Sequence, residues 1–152
     1  MSFKNLGLQK EIEQAIHEKG YTEATPIQSK SIPLIIKGHD ILASAQTGTG
    51  KTIAYLLPLI TNLLNDSKSS ALILAPTREL AAQIQETART LLGRIFEVVL
   101  LIGGDSMNKQ LSALKRSPRL IIGTPGRIND HINRRTLRLQ ETRFLVLDET
   151  DR

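Results

Sequence analysis

Ala45-Gln46-Thr47-Gly48-Thr49-Gly50-Lys51-Thr52 is the stretch that decides the fold. A short apolar run, Asp40-Ile41-Leu42-Ala43-Ser44, precedes it and reads as a strand; a helix-prone run, Ile53-Ala54-Tyr55-Leu56-Leu57, follows. Strand, glycine-rich turn and helix in that order suit a phosphate-binding loop. Glycines let backbone N–H groups curl around phosphate oxygens, and the helix N-terminus adds partial positive charge. Lys51 is spaced to reach the β- and γ-phosphates, and Thr52 to offer its hydroxyl to Mg²⁺. The first position of the pattern is Ala45 rather than glycine, a residue small enough for the turn where φ is negative. The competing reading is a glycine-rich turn that binds nothing. The flanking elements and the further small or glycine positions favour binding.

Outward from the loop, short apolar runs alternate with amphipathic stretches. Residues 41–45, 71–75, 97–101, 119–123 and 143–147 read as five strands, leucine-rich or β-branched and suited to burial on both faces. Helical patterns cover 51–64, 78–92, 106–115 and 126–133, with two more at 9–19 and 26–36 ahead of the first strand. Pro26 sits in the first turn of its helix, where a missing N–H costs nothing, and Pro33 is expected to bend or break that helix. This alternation predicts an α/β fold with a parallel sheet flanked by helices. Ligands of such sheets bind at the carboxyl ends of the strands. There the sequence places Pro76-Thr77-Arg78-Glu79, Gly103-Gly104, Thr124-Pro125-Gly126-Arg127 and Asp148-Glu149.

The last of these is the acidic partner the loop requires. Phe144-Leu145-Val146-Leu147 delivers Asp148 and Glu149 to a strand end. Mg²⁺ with bound phosphates takes few protein oxygens, often through water, and Asp148 is placed to hold it in that way. Glu149 is placed to polarise or deprotonate an attacking water. A strand followed by a plain acidic turn is the alternative.

Composition bounds the remainder. The chain has 152 residues, 40% hydrophobic and 23% charged, without repeats or low-complexity tracts, which is one domain's worth of globular sequence. No apolar run approaches the roughly 18–20 residues that span a bilayer, and the N-terminus lacks a signal-peptide core. With no cysteine there is neither a disulfide framework nor a thiolate site. A cytoplasmic protein without membrane contact is expected. The net charge is +5, and from Lys115 onward nine basic residues face five acids. Such a surface either contacts a phosphate backbone or is simply solvated. Three Phe, two Tyr and no Trp leave few stacking platforms, so any nucleic-acid contact runs through phosphates and sugars.

At this point the chain resembles the DEAD-box ATP-dependent RNA helicases, in their first RecA-like domain, almost end to end. Gly20-Tyr21-Thr22-Glu23-Ala24-Thr25-Pro26-Ile27-Gln28 resembles the family's Q motif, with Phe3 as its isolated upstream aromatic. Pro76-Thr77-Arg78-Glu79-Leu80-Ala81 resembles motif Ia, Gly103-Gly104 the glycine doublet, and Thr124-Pro125-Gly126-Arg127 motif Ib. The resemblance implies a RecA-like P-loop domain, residues 1–38 forming the Q-motif region and 39–152 the nucleotide-binding core. It implies ATP and Mg²⁺ as cofactors. Phe3, Tyr21, Gln28 and Ala45, Gln46, Thr47, Gly48, Thr49, Gly50, Lys51 and Thr52 would bind nucleotide, Gln28 by reading the adenine edge with its amide and Phe3 by packing on the base. Lys51, Asp148 and Glu149 would be catalytic, Thr52 and Asp148 the metal's protein ligands. Pro76, Thr77, Arg78, Gly103, Gly104, Thr124, Pro125, Gly126 and Arg127 would hold single- or double-stranded RNA by its backbone.

Taken without the resemblance, Gln28 is an ordinary helix polar residue, Phe3 a core anchor, and Thr124 a helix cap. Two departures stand out. The sequence reads Asp148-Glu149-Thr150-Asp151 where the family name spells Asp-Glu-Ala-Asp, and it stops at Arg152, before the family's Ser-Ala-Thr motif, second RecA-like domain and arginine finger. In a RecA-like sheet the Ser-Ala-Thr strand lies between the phosphate-loop strand and the Asp-Glu strand. The expectation is therefore a fragment with a gap in its sheet, inactive alone, and completed by a rearranged sheet or a strand-swapped oligomer. A DNA helicase or translocase domain and a non-catalytic RNA- or protein-binding module are the alternative readings.

Overall fold

A computed structural model describes residues 2–45, 50–93 and 95–149. Two compact units divide the chain, Met1–Ser67 and Lys68–Thr150.

The first unit is helical. A 3-10 turn, Phe3–Asn5, precedes α1 (Lys10–Glu18), α2 (Pro26–Ile36) and α3 (Lys51–Asn65). In α1, Ile12 and Ile16 lie four residues apart on one face and are both buried. A capping box starts α2: Gln28 N–H donates to the Thr25 hydroxyl at 3.4 Å, and Thr25 N–H donates to Gln28 Oε1 at 2.9 Å. Pro33 does not break the helix as expected, for it continues to Ile36 and Lys37 N–H donates to the Pro33 carbonyl at 3.2 Å. Proline forfeits one helical bond, and here only a last turn remains beyond it. That turn is also supported from outside, because Asn62 of α3 donates to the Ile35 carbonyl at 3.1 Å.

The second unit alternates strand and helix: β1 (Ser70–Leu74), α4 (Arg78–Leu92), β2 (Val98–Leu101), α5 (Met107–Lys115), β3 (Leu120–Gly123), α6 (Pro125–Asn133) and β4 (Thr142–Leu147). The sheet order is β2-β3-β1-β4, every pair parallel, with Ile73 beside both Ile122 and Val146. Leu72, Val99, Leu101 and Ile121 from one face form a buried cluster with Leu114 of α5 and Ile128 of α6. Ile73, Leu120 and Ile122 point to the other face by the strand's period of two, and α4 packs on β2 and β3. Right-handed crossovers require this division, since the chain moves one way across the sheet for α4 and the other way for α5 and α6.

Among the described residues only four strands form. Residues 41–45, expected as a fifth, carry no strand structure; Leu42 is fully exposed and Ile41 is 39% exposed. An extended segment becomes a strand only beside a hydrogen-bonding neighbour, and residues 41–45 have no ladder partner among the described residues. β4 is an edge strand of the sheet. Among the described residues it pairs with β1 alone, and Leu145 and Leu147 are 59% and 64% exposed. A groove of about 570 Å³ lies along it, lined chiefly by Leu72, Leu74, Ile128, Ile132, Leu139 and Leu145.

The second unit also buries a polar cluster. His131 is fully buried, its Nε2 2.7 Å from Gln110 Oε1 and its Nδ1 2.9 Å from the Thr136 hydroxyl. An amide oxygen only accepts, so Nε2 carries the proton; the Thr136 hydroxyl, which also donates to the His131 carbonyl at 3.1 Å, shares its single proton between that oxygen and Nδ1. Burial, then Arg127 and Arg134, hold the imidazole pKa below its usual value, against a smaller opposite pull from Asp130. Gln110 of α5 and Thr136 beyond α6 are both neutral.

Two predictions follow from this packing. A Cβ at Gly123 would lie 2.5 Å from the Leu101 carbonyl and 2.8 Å from Ile128 Cδ1. Gly123→Ala should cost about 1–3 kcal/mol as the strand shifts to make room, and an unchanged denaturation midpoint would contradict this. For His131, the unfolded imidazole protonates near pH 6.5 while the folded one resists. Its contribution to stability is complete above about pH 6.5 and is lost as pH falls through the lower folded value. His131→Leu should therefore lose less stability than wild type between about pH 7.5 and 5.5; identical declines would show that His131 does not titrate in this way.

Candidate functional site

The nucleotide residues described belong to Met1–Ser67. Gly50 caps α3 with φ +83°, and no side chain caps that helix start. A helix N-terminus is a positive end, the arrangement that receives an anion. The Gly50 carbonyl accepts from Ala54 N–H at 2.9 Å and from Gln28 Nε2 at 3.2 Å. A Cβ at Gly50 would stand 2.3 Å from Gln28 Nε2, so glycine is required by contact as well as by φ. The structure thereby brings together Gln28 and the end of the phosphate-loop sequence, which are 22 residues apart. Gln28 is buried, as an amide with partners on both atoms can be.

Phe3 follows Ser2, whose antiparallel bridge to Glu23 ties the N-terminal segment to the residues just before α2. It is buried at 4% exposure, whereas Tyr21 is exposed. Ala45, Lys51 and Thr52 are half-buried. Gln46, Thr47, Gly48 and Thr49 lie outside the described residues, as do Thr150 and Asp151.

The other candidates gather at the carboxyl edge of the sheet in Lys68–Thr150. Thr77 spends its hydroxyl as the cap of α4, accepting from Leu80 N–H at 3.1 Å. Thr124 does not: α6 begins with Pro125 and makes no side-chain cap bond. Thr124 therefore holds the N-cap position of α6 with no side-chain bond to the helix. Arg78 lies over the glycine doublet, where a Cβ would stand 2.9 Å from its Nη2 at Gly103 and 3.0 Å from its Nη1 at Gly104. Motif Ia and the doublet are therefore one surface. Gly104 also has φ +90°, a conformation that other residues seldom adopt. Asp148 is buried and extends β4 by one ladder bond, its N–H donating to the Leu74 carbonyl at 2.9 Å, while Glu149 is exposed.

Arg127 departs from the simple picture of a phosphate ligand. Its Nε donates to Gln110 Oε1 at 2.8 Å and its Nη2 to the Asp105 carbonyl at 3.0 Å. Gln110 in turn donates from Nε2 to the Ile102 carbonyl at 2.9 Å. Sequence reasoning missed Gln110, His131 and Thr25, since single polar residues in amphipathic helices or before a proline carry no distinguishing spacing.

Among the described residues, no three His, Asp or Glu side chains cluster as metal ligands, and no helix is long and apolar enough to cross a membrane.

Comparison with known proteins agrees with this geometry. Residues 25–152 match the family model of the DEAD/DEAH box helicases. The ATP-dependent RNA helicase CshA of Listeria monocytogenes serovar 1/2a is 48% identical, over 98% of this chain and 29% of that protein. CshA of Limosilactobacillus reuteri is 45% identical, over 99% of this chain and 31% of its own length. The crystal structure of a DEAD box protein from the hyperthermophile Methanococcus jannaschii matches 98% of this chain and 41% of that one, with a TM-score of 0.89 at 40% identity. The chain thus spans less than a third of the length of these curated relatives. It belongs to the DEAD/DEAH box helicase family and has that family's RecA-like α/β fold.

Proposed function

We propose that this chain is the ATP- and RNA-binding half of an ATP-dependent RNA helicase, working with a second RecA-like domain. One observation carries the reading: every helicase-like loop of the second unit leaves the same carboxyl edge of one parallel sheet. Arg78 and the glycine doublet share a surface there.

In this reading Lys51 and the N-terminus of α3 neutralise the phosphates, and Gln28 reads adenine. Thr52 and Asp148 supply hydroxyl and carboxylate oxygen, the hard donors that suit Mg²⁺, and the ion would neutralise charge developing on the transferred phosphoryl group. Glu149 accepts the proton of the attacking water. Pro76, Thr77, Arg78, Gly103, Gly104 and the 124–127 turn engage the RNA backbone, which positions the strand without reading its bases.

Two measurements test this. In a chain carrying both RecA-like domains, Lys51→Ala and Glu149→Gln should each lower RNA-stimulated ATP turnover by about 10²-fold or more, with RNA binding largely kept. Unchanged turnover would support a non-catalytic module instead. Residues 1–152 alone should separate no duplex, since an arginine supplied across the cleft contributes about 10³–10⁵ in rate; unwinding by that segment would overturn the two-domain requirement.

A further inference from the structure

Gln110 of α5 joins the segment that leaves β2 to α6, which leaves β3. Its Oε1 accepts from Arg127 Nε at 2.8 Å and from His131 Nε2 at 2.7 Å, and its Nε2 donates to the Ile102 carbonyl at 2.9 Å. Arg127 and His131 lie on one turn of α6, four residues apart, so both can meet one amide oxygen. Arg127 then returns to the glycine loop through the Asp105 carbonyl at 3.0 Å. The loop holding Gly103 and Gly104 is thus pinned on both sides, at Ile102 by Gln110 and at Asp105 by Arg127. Gln110 and His131 are 4% and 0% exposed, so neither can meet RNA itself.

We propose that Gln110 and His131 are positioning residues for RNA binding. They hold Arg127 as a strut that fixes the Gly103-Gly104 turn relative to the start of α6. The inference rests on the RNA-binding reading of those two segments. His131 supports it in a specific way. A neutral ring with its proton on Nε2 is a fixed donor to Gln110, and Thr136 holds the opposite ring nitrogen in place. With its oxygen oriented by two donors, the Gln110 amide cannot flip without breaking all three of its bonds. Buried polar groups of this kind are costly unless fully paired, and here the pairing spans both proposed RNA loops.

The test uses a chain carrying both RecA-like domains, with a single-stranded oligouridylate as the RNA. Gln110→Leu and His131→Leu should raise the KM for RNA in stimulated ATP turnover roughly tenfold through misplacement of the loop. kcat at saturating RNA and the KM for ATP should stay near wild type. His131→Gln keeps an N–H donor toward Gln110 Oε1, so it should restore most of the RNA affinity that His131→Leu loses. A role confined to folding would lower kcat with the folded fraction and leave the RNA KM unchanged, and that outcome overturns the proposal. So does a His131→Gln variant as impaired as His131→Leu. Wild-type protein without RNA-stimulated turnover would defeat the functional reading itself, whereas stimulated wild type with unaltered variants defeats only this inference.

Discussion

The parallel pairing of β1 with both β3 and β4 is the constraint on which the rest of Lys68–Thr150 depends. Parallel strands end on the same edge, so the residues after each strand are gathered there whatever their separation in sequence. The ladder also reaches one residue into each of three loops. Ala75 N–H donates to the Gly123 carbonyl at 3.0 Å, Thr124 N–H to Leu101 at 3.2 Å and Asp148 N–H to Leu74 at 2.9 Å. The segments at 76–79, 124–127 and 148–149 therefore begin from fixed points. Loop conformation at the site is then a matter of a few local contacts on a rigid frame.

Those local contacts divide the work between small and charged residues. Gly103 and Gly104 leave the space that the Arg78 guanidinium occupies, and Gly123 lets β3 approach both the Leu101 carbonyl and Ile128. The charged residues are held by hydrogen bonds to carbonyls and to one neutral amide, a pairing that lets Arg127 and His131 sit close without a buried carboxylate to balance them. Burial and the nearby arginines both disfavour an imidazolium, so the same surroundings that seat His131 also fix it as a neutral donor.

Most of this architecture was legible in the sequence, because the residues that build it repeat at the right period. The bounds of α2 and α4 agree with their apolar and capping patterns, and β1, β2, β3 and β4 begin or end within a residue of the runs that suggested them. The exception is instructive. Residues 41–45 have the composition of a strand, but pairing is a property of two segments, and composition describes only one. Pro33 leaves α2 unbroken to Ile36 for a related reason: its cost is local, while the support from Asn62 comes from another helix. The ends of α5 and α6, Lys115 and Asn133, agree with the patterns that suggested them, although Ser117 and Arg135 follow with φ of 53° and 61° where glycine is the usual signal. In the site, loops with distinctive residues were visible and their buttresses were not. Gln110 is one glutamine in a polar helix until the fold sets Arg127, His131 and Ile102 around it.

Gln28 would serve a fold and a ligand together. The adenine reading proposed for it requires a free donor and a free acceptor, although Oε1 already takes Thr25 N–H and Nε2 already donates to Gly50. A carboxamide has two acceptor sites on oxygen and two hydrogens on nitrogen, so one of each is left after both structural bonds are made. The bonds in place also determine which end is oxygen: only the nitrogen can donate to the Gly50 carbonyl, and only the oxygen can accept from Thr25 N–H. The same contact makes Gly50 sensitive to what Gln28 does. A base that pulled on the amide would pull on the carbonyl that begins α3, the helix whose first turn carries Lys51 and Thr52. Recognition of adenine and placement of the phosphate-binding residues would then be coupled through a single hydrogen bond, with no movement of the sheet required.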